Sequence, residues 1–449
     1  MREQKIILEP FELLDVLECS GEIKANCHGR MLVKGHINQE KEQEYLQMLL
    51  TETWGSVKIR DDKGKEKILF SGIVTEGEIE VENGLKTLTV TMSTGSILMD
   101  LQDHLRTFQE KGLLYDAIMD VLMEAYTNSG CIISKGKGKS IEGFLCQYQE
   151  TDWQFALRLS KRCHTVLYPN YIGVGIKIYF GMPNGKNHGD IHVTEYYQKQ
   201  AHTMSYGIKI REILDIGDTV MFCGRKLHVV SRNTKLEYGE LYHTYELIQD
   251  EIESLITIYN DNLSGVSLNA SVVKAEGTNI MVSFKGDENK KACGNKWFPF
   301  ATVYSSPDGT GWYCMPEIGD NVRIYFPTHN EEDAYAFNAM HMESTDSSER
   351  TNPDFKSLMN KQGKEILFKP DSILITNNAG MSLELSDSEG ISIISNKKIV
   401  LRSEEAIEIT SVNERVNIVA PQQIALQQGN TQMVLSDNLT MRGAKIRLD

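Results

Sequence analysis

The sequence lacks any apolar run that approaches the roughly 20 residues needed to span a bilayer. Its first residues, "MREQKIILEPFELL", mix charged and apolar side chains and contain no apolar core of a signal peptide. These two absences predict a protein that is made and folded in the cytoplasm, unless a route independent of a signal peptide exports it later.

Positive charge is also in short supply. The 449 residues hold 47 Lys and Arg against 62 Asp and Glu, which gives a net charge of −15. Because phosphate groups are bound by basic surfaces, this balance argues against a general binder of nucleic acid or of anionic membranes. The hydrophobic content of 41% and the charged content of 24% are those of an ordinary folded protein.

Closely spaced cysteine pairs are missing as well. The eight cysteines stand singly, with no Cys-x-x-Cys, which predicts reduced and mostly buried thiols. One stretch, "NHGDIH", would place His188, Asp190 and His192 on one face of an extended strand. A strand hairpin with surface histidines is favoured over a metal site, because no third strong ligand set is visible nearby. We therefore predict no metal ion and no cofactor.

The length favours two to four domains. Residues 1–260 read as mixed β-structure with a few helices, one of them over 115–130. Residues 262–341 form a second block, 342–359 a polar linker interrupted by proline, and 360–449 a repeat. The fold class predicted is mainly β with minor α.

The second block contains five short apolar strands separated by Gly, Asp and Pro turns, which suits a small closed barrel of the OB type. Such barrels often bind oligonucleotides or sugars through aromatic and basic residues. Trp297, Phe298, Trp312 and Tyr313 supply aromatic side chains, but basic residues are few. We therefore expect these aromatics to lie in the barrel core or to pack against a neighbouring domain.

A second helix is predicted over 150–163. Thr151 is placed as its N-cap, with Gln154 as the partner in a capping box. Glu150 and Asp152 would lie at the positive end of this helix, where negative charge is favourable. This helix-end role is preferred to a catalytic role for the two carboxylates.

The last 90 residues repeat an apolar–any–apolar pair whose first members recur every six to ten residues. Alternation with period two predicts a strand with one buried face, and regular recurrence predicts a stacked architecture. The pairs are Ile373/Ile375, Met381/Leu383, Ile391/Ile393, Ile399/Leu401, Ile407/Ile409, Val416/Ile418, Ile424/Leu426, Met433/Leu435, Leu439/Met441 and Ile446/Leu448.

The period of the repeat bears on how these pairs are buried. Eight residues span about 26 Å, which makes one side of a prism and not a closed turn around a core. Three chains could each give one side per layer, so that the first eight pairs, from Ile373 to Leu435, meet on a shared axis as the core of a needle. The alternative is an antiparallel meander lying on a sheet, with each unit a strand. The interwound trimer is preferred because a lone meander would leave one face and two edges to be covered.

Three stretches resemble the VgrG-like spike proteins of contractile injection systems and the hub and needle proteins of contractile phage baseplates, the late-control-D-like family. "LFSGIVTEGEIE" with "TLTVTMSTGSILMDLQDHLRTFQ" (69–80 and 87–109) resembles the first part of the hub. "QYQETDWQFALRLSKRCHTVLYPN" (147–170) resembles the family's Q-Y-x-E-T-D helix. "GWYCMPEIGDNVRIYF" (311–326) resembles a segment of the spike's OB domain.

The resemblance implies a homotrimer in three parts. Residues 1–260 would form a pseudo-sixfold ring that adapts the spike to the inner tube, 262–341 the OB collar, and 360–449 an intertwined β-prism. Baseplate proteins and a PAAR-like tip protein are the implied partners, and Ile446 and Leu448 would be the landing surface for the tip. The linker leaves no room for an inserted enzyme, so an effector cargo would be carried on a separate chain.

The function predicted is structural: a spike that nucleates tube assembly and punctures the target envelope, with only transient contact with the target membrane. No catalytic residue is assigned. A cell-wall or glycan hydrolase is one alternative, with Glu150/Asp152 or Glu404/Glu405 as the nearest acids. A trimeric receptor-binding fibre is another. The particle would be assembled in the cytoplasm and delivered outside the cell, or into the target, on firing.

Overall fold

A computed structural model describes residues 5–200, 203–249, 257–289, 294–338 and 352–445. The chain divides into two compact units, Met1–His341 and Met342–Asp449. Both are built mainly of β-strands, with three α-helices among the described residues, so the predicted fold class is confirmed. None of the helices described is long and apolar enough to cross a bilayer.

Several strands of the first unit alternate buried residues with less buried ones. In chain order the strands before the ladder described below are β1 (Lys5–Glu9), β2 (Glu18–Lys24), β3 (Arg30–Ile37), β4 (Trp54–Arg60), β5 (Glu66–Glu82), β6 (Leu85–Ser93), β7 (Asp103–Phe108), β8 (Ser129–Ile133), β9 (Leu145–Thr151), β10 (Leu167–Pro169), β11 (Ile176–Phe180), β12 (Asn187–Asp190), β13 (Tyr196–Gln200), β14 (Met204–Ile210), β15 (Thr219–Phe222), β16 (Arg225–Glu237) and β17 (Glu240–Ile248).

Twelve of these strands form one sheet, with the order β1-β4-β5-β6-β3-β2-β16-β17-β14-β13; β15 pairs with β16, and β12 with β15. The β5–β6 hairpin turns at Asn83 and Gly84, both at positive φ, as a two-residue turn of this type requires. The sheet buries one large apolar cluster against the strands around Tyr168 and the loop around Leu214. The strands predicted over 54–93 are therefore confirmed as β4, β5 and β6.

The three helices are α1 (Glu42–Leu49), α2 (Tyr115–Met123) and α3 (Asp152–Arg162). Helix α3 begins with the predicted capping box: Thr151 Oγ1 accepts from the Gln154 N–H, and the Gln154 side chain accepts from the Thr151 N–H. Helix α2 ends seven residues before the predicted end at 130; residues 124–128 form a turn, and Ser129 starts β8, which pairs with β11. Helices α2 and α3 share a second apolar cluster with β11.

Strands β10-β11-β8 and β7-β9 form two small sheets, and the last part of the first unit is a five-stranded antiparallel ladder with the order β20-β19-β18-β21-β22. A single parallel bridge, Phe300 to Ala336, joins its outer strands. Apart from this bridge the ladder is open among the described residues, so the predicted OB-type closure stays a prediction. The strands are β18 (Ser267–Glu276), β19 (Asn279–Phe284), β20 (Trp297–Pro299), β21 (Asn321–Tyr325) and β22 (Tyr335–Phe337).

The four aromatics singled out in this block have different environments, and Trp297 is half-buried. Phe298 is fully buried in the apolar cluster of the ladder. Trp312 and Tyr313 are 57% and 74% exposed, so their assignment to the barrel core is wrong, and packing against a neighbouring domain stays a prediction. Both follow a small turn closed by the Ser305–Gly311 bridge, which carries them away from the ladder's interior.

The second unit contains two antiparallel meanders, of five and three strands, separated by residues 396–423, in which no strand is formed. Ser372 is its one buried residue among those described. The strands are β23 (Lys356–Met359), β24 (Glu365–Phe368), β25 (Ser372–Thr376), β26 (Met381–Ser386), β27 (Gly390–Ser395), β28 (Ile424–Gln428), β29 (Thr431–Leu435) and β30 (Leu439–Arg442).

Candidate association surface

The register of the five-stranded meander aligns the apolar pairs of successive repeats. Residues directly opposite in an antiparallel ladder lie on the same face of the sheet. The pairing therefore gathers two rows of apolar side chains on one face, called here the apolar face. The rows are Leu358–Ile366–Ile375–Leu383–Ile393 and Phe368–Ile373–Leu385–Ile391.

The three-stranded meander repeats this arrangement. Its register aligns Ile424 with Leu435 and Leu439, and Leu426 with Met433 and Met441. Both meanders thus show the shared face that period-two alternation predicts. Antiparallel pairing within one chain is the arrangement of the meander alternative, and the association of three copies stays a prediction.

The apolar faces have no cover within the described part of the chain. Exposure along the first face runs from 37% at Ile366 to 73% at Ile391, with Leu383 half-buried. Met381, the remaining predicted core residue of this meander, is paired with Ser395 and is exposed. Soluble monomers rarely expose contiguous apolar patches of this kind without a binding role.

The six predicted core residues between the meanders behave differently. A strand was predicted at every pair, but in the single chain none forms over 396–423. A strand is held by hydrogen bonds to a neighbouring strand, and here this stretch of chain finds no such neighbour. All six are 49–70% exposed: Ile399, Leu401, Ile407, Ile409, Val416 and Ile418. The predicted tip residues Ile446 and Leu448 lie outside the described residues.

Sequence reasoning missed a buried charged cluster around α3. Arg158 is 1% exposed, and its Nε and Nη2 donate to the two carboxylate oxygens of Glu150 at 2.9 and 2.8 Å. Its Nη1 donates to Glu331 Oε1 at 2.5 Å, and Arg162 Nη2 donates to Glu331 Oε2 at 2.7 Å. Burial raises the pKa of the Glu150 carboxyl, while the hydrogen bonds from Arg158 act in the opposite direction.

The second carboxylate of the motif is also buried. Asp152 is the first residue of α3, so the predicted helix-end role is right for it. Its oxygens also accept from Arg106, from Gln147 Nε2 at 2.9 Å and from the Tyr126 hydroxyl at 2.7 Å. Glu150, in contrast, lies in β9 and not at the helix end, so the prediction for it is wrong. Each carboxylate is buried against an arginine, an arrangement typical of a structural ion pair.

A hydrogen-bonded chain beside α3 contains the residue types of a hydrolase triad. His28 Nδ1 lies 2.8 Å from Ser96 Oγ, and its Nε2 lies 2.8 Å from Asp100 Oδ2. Ser96 is 1% exposed, and its hydroxyl is also 2.9 Å from Thr94 Oγ1, so a substrate carbonyl cannot reach it. The hydroxyl of Thr151 donates to Asp100 at 2.5 Å, so these hydrogen-bonded side chains stabilise the start of α3.

Comparison with solved structures shows the fold of this chain in a component of a type VI secretion system and in a complex that contains VgrG. An Escherichia coli component of that system, described as similar to the T4 bacteriophage tail proteins gp27 and gp5, matches with a TM-score of 0.53 and 11% identity; 74% of this chain and 99% of that one are covered. A chain of the half-lidded Francisella PdpA-VgrG complex matches with 0.53 and 10% identity, over 88% of both chains. The lidded complex gives 0.54 and 10%, over 88% of this chain and 80% of that one.

These matches confirm the resemblance at the level of the fold. No protein-family model matches the chain, and no curated protein matches it in sequence. At 10–11% identity the shared fold carries no residue roles from one protein to the other. The roles assigned to residues above are therefore inferred only from the contacts within this protein.

Proposed function

We propose that this protein is the structural spike of a contractile injection machine. In this role three copies associate through the second unit, cap the inner tube, start its assembly and puncture the target envelope mechanically. The work comes from contraction of the surrounding sheath, so the role requires no catalytic group, nucleotide or metal. The fold shared with a type VI secretion component and with a chain of the PdpA-VgrG complex supports this assignment.

The uncovered apolar faces carry the proposal. Complete burial of one large apolar side chain contributes roughly 1.5–3 kcal/mol before entropy is counted. The second unit presents two aligned rows in each meander and gathers no buried apolar core among its described residues. Two more copies of the same surface would cover these rows around a common axis, as closed symmetry in a homo-oligomer permits.

The stretch between the meanders gives independent support. Residues 396–423 contain three apolar pairs but form no strand in the single chain, so their partners must come from elsewhere if they pair at all. Neighbouring copies offer the same pairs at the same height along an axis. We propose that the interwound part of the needle is centred on this stretch.

The remaining partners follow from this role. The inner tube protein and baseplate proteins would contact the first unit, and a PAAR-like tip protein would dock on Ile446 and Leu448. Any effector cargo would be a separate chain, and contact with the target membrane would be transient. The particle would be assembled in the cytoplasm and leave it on firing.

The oligomeric state tests the proposal directly. Sedimentation equilibrium of the full-length protein at micromolar concentration should give the mass of three 50.8 kDa chains. The protein should also be found in purified contractile particles of its source cell. A monodisperse monomer in solution, together with particles that lack the protein, would rule the spike out.

A further inference from the structure

We propose that the contacts between the ladder and the α3 region form a rigid joint that transmits axial force, with Glu331 as its positioning residue. The name joint is used here for three attachments: Arg158 with Glu331, Thr107 with Asp287, and Phe144 with the ladder core. This inference rests on the proposed spike function, because only a spike under thrust needs the two parts to move as one body.

The first attachment is a buried ion pair. Glu331 has no exposed surface, although it lies at the start of a short 3-10 helix, Glu331–Asp333. It accepts hydrogen bonds from Arg158 and Arg162, both in α3. Arg158 also donates to the Cys146 carbonyl at 3.0 Å, so its guanidinium is held in place from β9 as well as from the ladder. The planar fork of arginine makes such an attachment directional.

The second attachment lies on β7. Asp287 accepts from the Thr107 N–H at 3.1 Å and also from the Thr107 hydroxyl. Asn289 Nδ2 donates to the Thr107 carbonyl at 2.9 Å, and the Glu288 N–H donates to the Leu105 carbonyl at 2.9 Å. The segment after β19 is therefore bonded to the backbone of β7 and not only to its side chains.

The third attachment is aromatic. Phe144, just before β9, is 2% exposed and belongs to the apolar cluster of the ladder. Its ring centroid lies 5.4 Å from that of Phe298, 6.0 Å from Phe284 and 6.2 Å from Phe326. The Phe144 N–H also donates to the carboxylate of Glu332. The ladder thus completes its core with a side chain from the preceding part of the chain.

Together the attachments oppose a hinge. Interfaces between domains of one chain are usually polar enough that relative motion is the default expectation. Here three separate elements, β7, the segment before β9 and α3, each fix the ladder through buried groups. Loss of one partner from a buried ion pair leaves an uncompensated charge, so opening the joint is strongly disfavoured. A joint of this kind transmits a push without bending.

The test uses full-length protein and the variant Glu331→Gln, which removes the charge and keeps the size. Native hydrogen exchange is measured at the Thr107 and Glu288 amides, which belong to the second attachment. If the joint opens as one body, Glu331→Gln should speed exchange at both amides at least about a hundredfold, because breaking a buried ion pair is strongly destabilising. Glu331→Asp, which keeps the charge, should restore much of the protection. The matched control Glu80→Gln breaks the exposed pair with Lys34 and should change neither amide.

Two outcomes would overturn the proposal. If exchange changes only at amides next to Glu331, the attachments act independently. If exchange rises equally throughout β16 and β17, the ladder does not open as a body of its own, and no separate joint exists. Should Glu331→Gln fail to fold, Asp287→Asn replaces it, with the readout moved to the Phe144 amide.

A second experiment measures delivery by assembled particles. Particles that carry Glu331→Gln should contain normal amounts of the protein and contract, yet deliver at least about tenfold less cargo. Normal delivery by the variant particles would refute force transmission through the joint and leave the proposed spike function untouched. Wild-type particles that lack the protein would refute the proposed spike function.

Discussion

Substitution of Ile375 by asparagine should dissociate the trimer that we propose. Ile375 lies in the middle of a row of the apolar face and is 46% exposed in the single chain. Burying the remaining half contributes about 0.7–1.5 kcal/mol per copy, and burying an unbonded amide costs a further 1–3 kcal/mol or so. Over three copies the loss is roughly 5–13 kcal/mol, and even the lower figure reduces the association constant by more than three orders of magnitude. Sedimentation equilibrium at micromolar concentration should then show monomer.

The neighbouring residue provides the control. Leu374 points to the opposite face of β25, where its row contains Leu367, Glu384 and Ser392. Leu374→Asn makes the same chemical change one residue away and should leave the oligomer intact. Equal dissociation by both variants would show that the face does not determine association. An unchanged mass for Ile375→Asn would refute the reasoning outright.

Three further predictions concern the first unit. Burial, assisted by Arg232, lowers the pKa of His243 from 6.5 to about 3, so between these values the unfolded state binds the proton and the folded state does not. Stability should fall as the pH falls through this window, by up to about 1.4 kcal/mol per pH unit, and His243→Gln should flatten the slope in urea titrations. Thr151→Ala should cost about 1 kcal/mol through loss of the α3 cap, and Thr151→Ser should recover most of it. Phe144→Ala should lower the free energy of unfolding by about 3–5 kcal/mol in urea titrations. Phe144→Leu should lower it clearly less, because leucine leaves a smaller cavity among the three neighbouring rings.

Features that depend on neighbours in sequence could be predicted before the fold was known. The capping box of Thr151 and Gln154 spans three residues, and it is found as expected. The apolar faces follow from period-two alternation, which each strand shows by itself. The end of α2 could not be read in this way, because the pairing of β8 with β11 takes Ser129 and Gly130, which the helix was predicted to reach. There a tertiary contact overrides local propensity.

The buried joint was beyond sequence reasoning for the same reason. Arg158 and Glu331 are 173 residues apart, and nothing local to either residue marks them as partners. Glu150 seemed to belong to a helix end because it precedes the helix, but its backbone is that of a strand. One local signal was open to use: a glutamate eight residues before an arginine in a largely apolar stretch suggests a buried pair, since charges in such surroundings need partners.

The glycine pattern of the second unit explains why its most regular repeats have the least structure. Of its six hairpins, four turn through residues at positive φ, including Gly363, Gly380, Gly390 and Gly429. Between Gly390 and Gly429 the sequence contains no glycine, and no residue there adopts positive φ. Tight hairpin turns favour such residues, so this stretch is poorly suited to fold back and pair with itself. Its apolar pairs nevertheless recur every eight or nine residues. A pattern that maintains strand-forming pairs while omitting the turns that would join them favours pairing with other chains, and this is the arrangement that a needle of three copies requires.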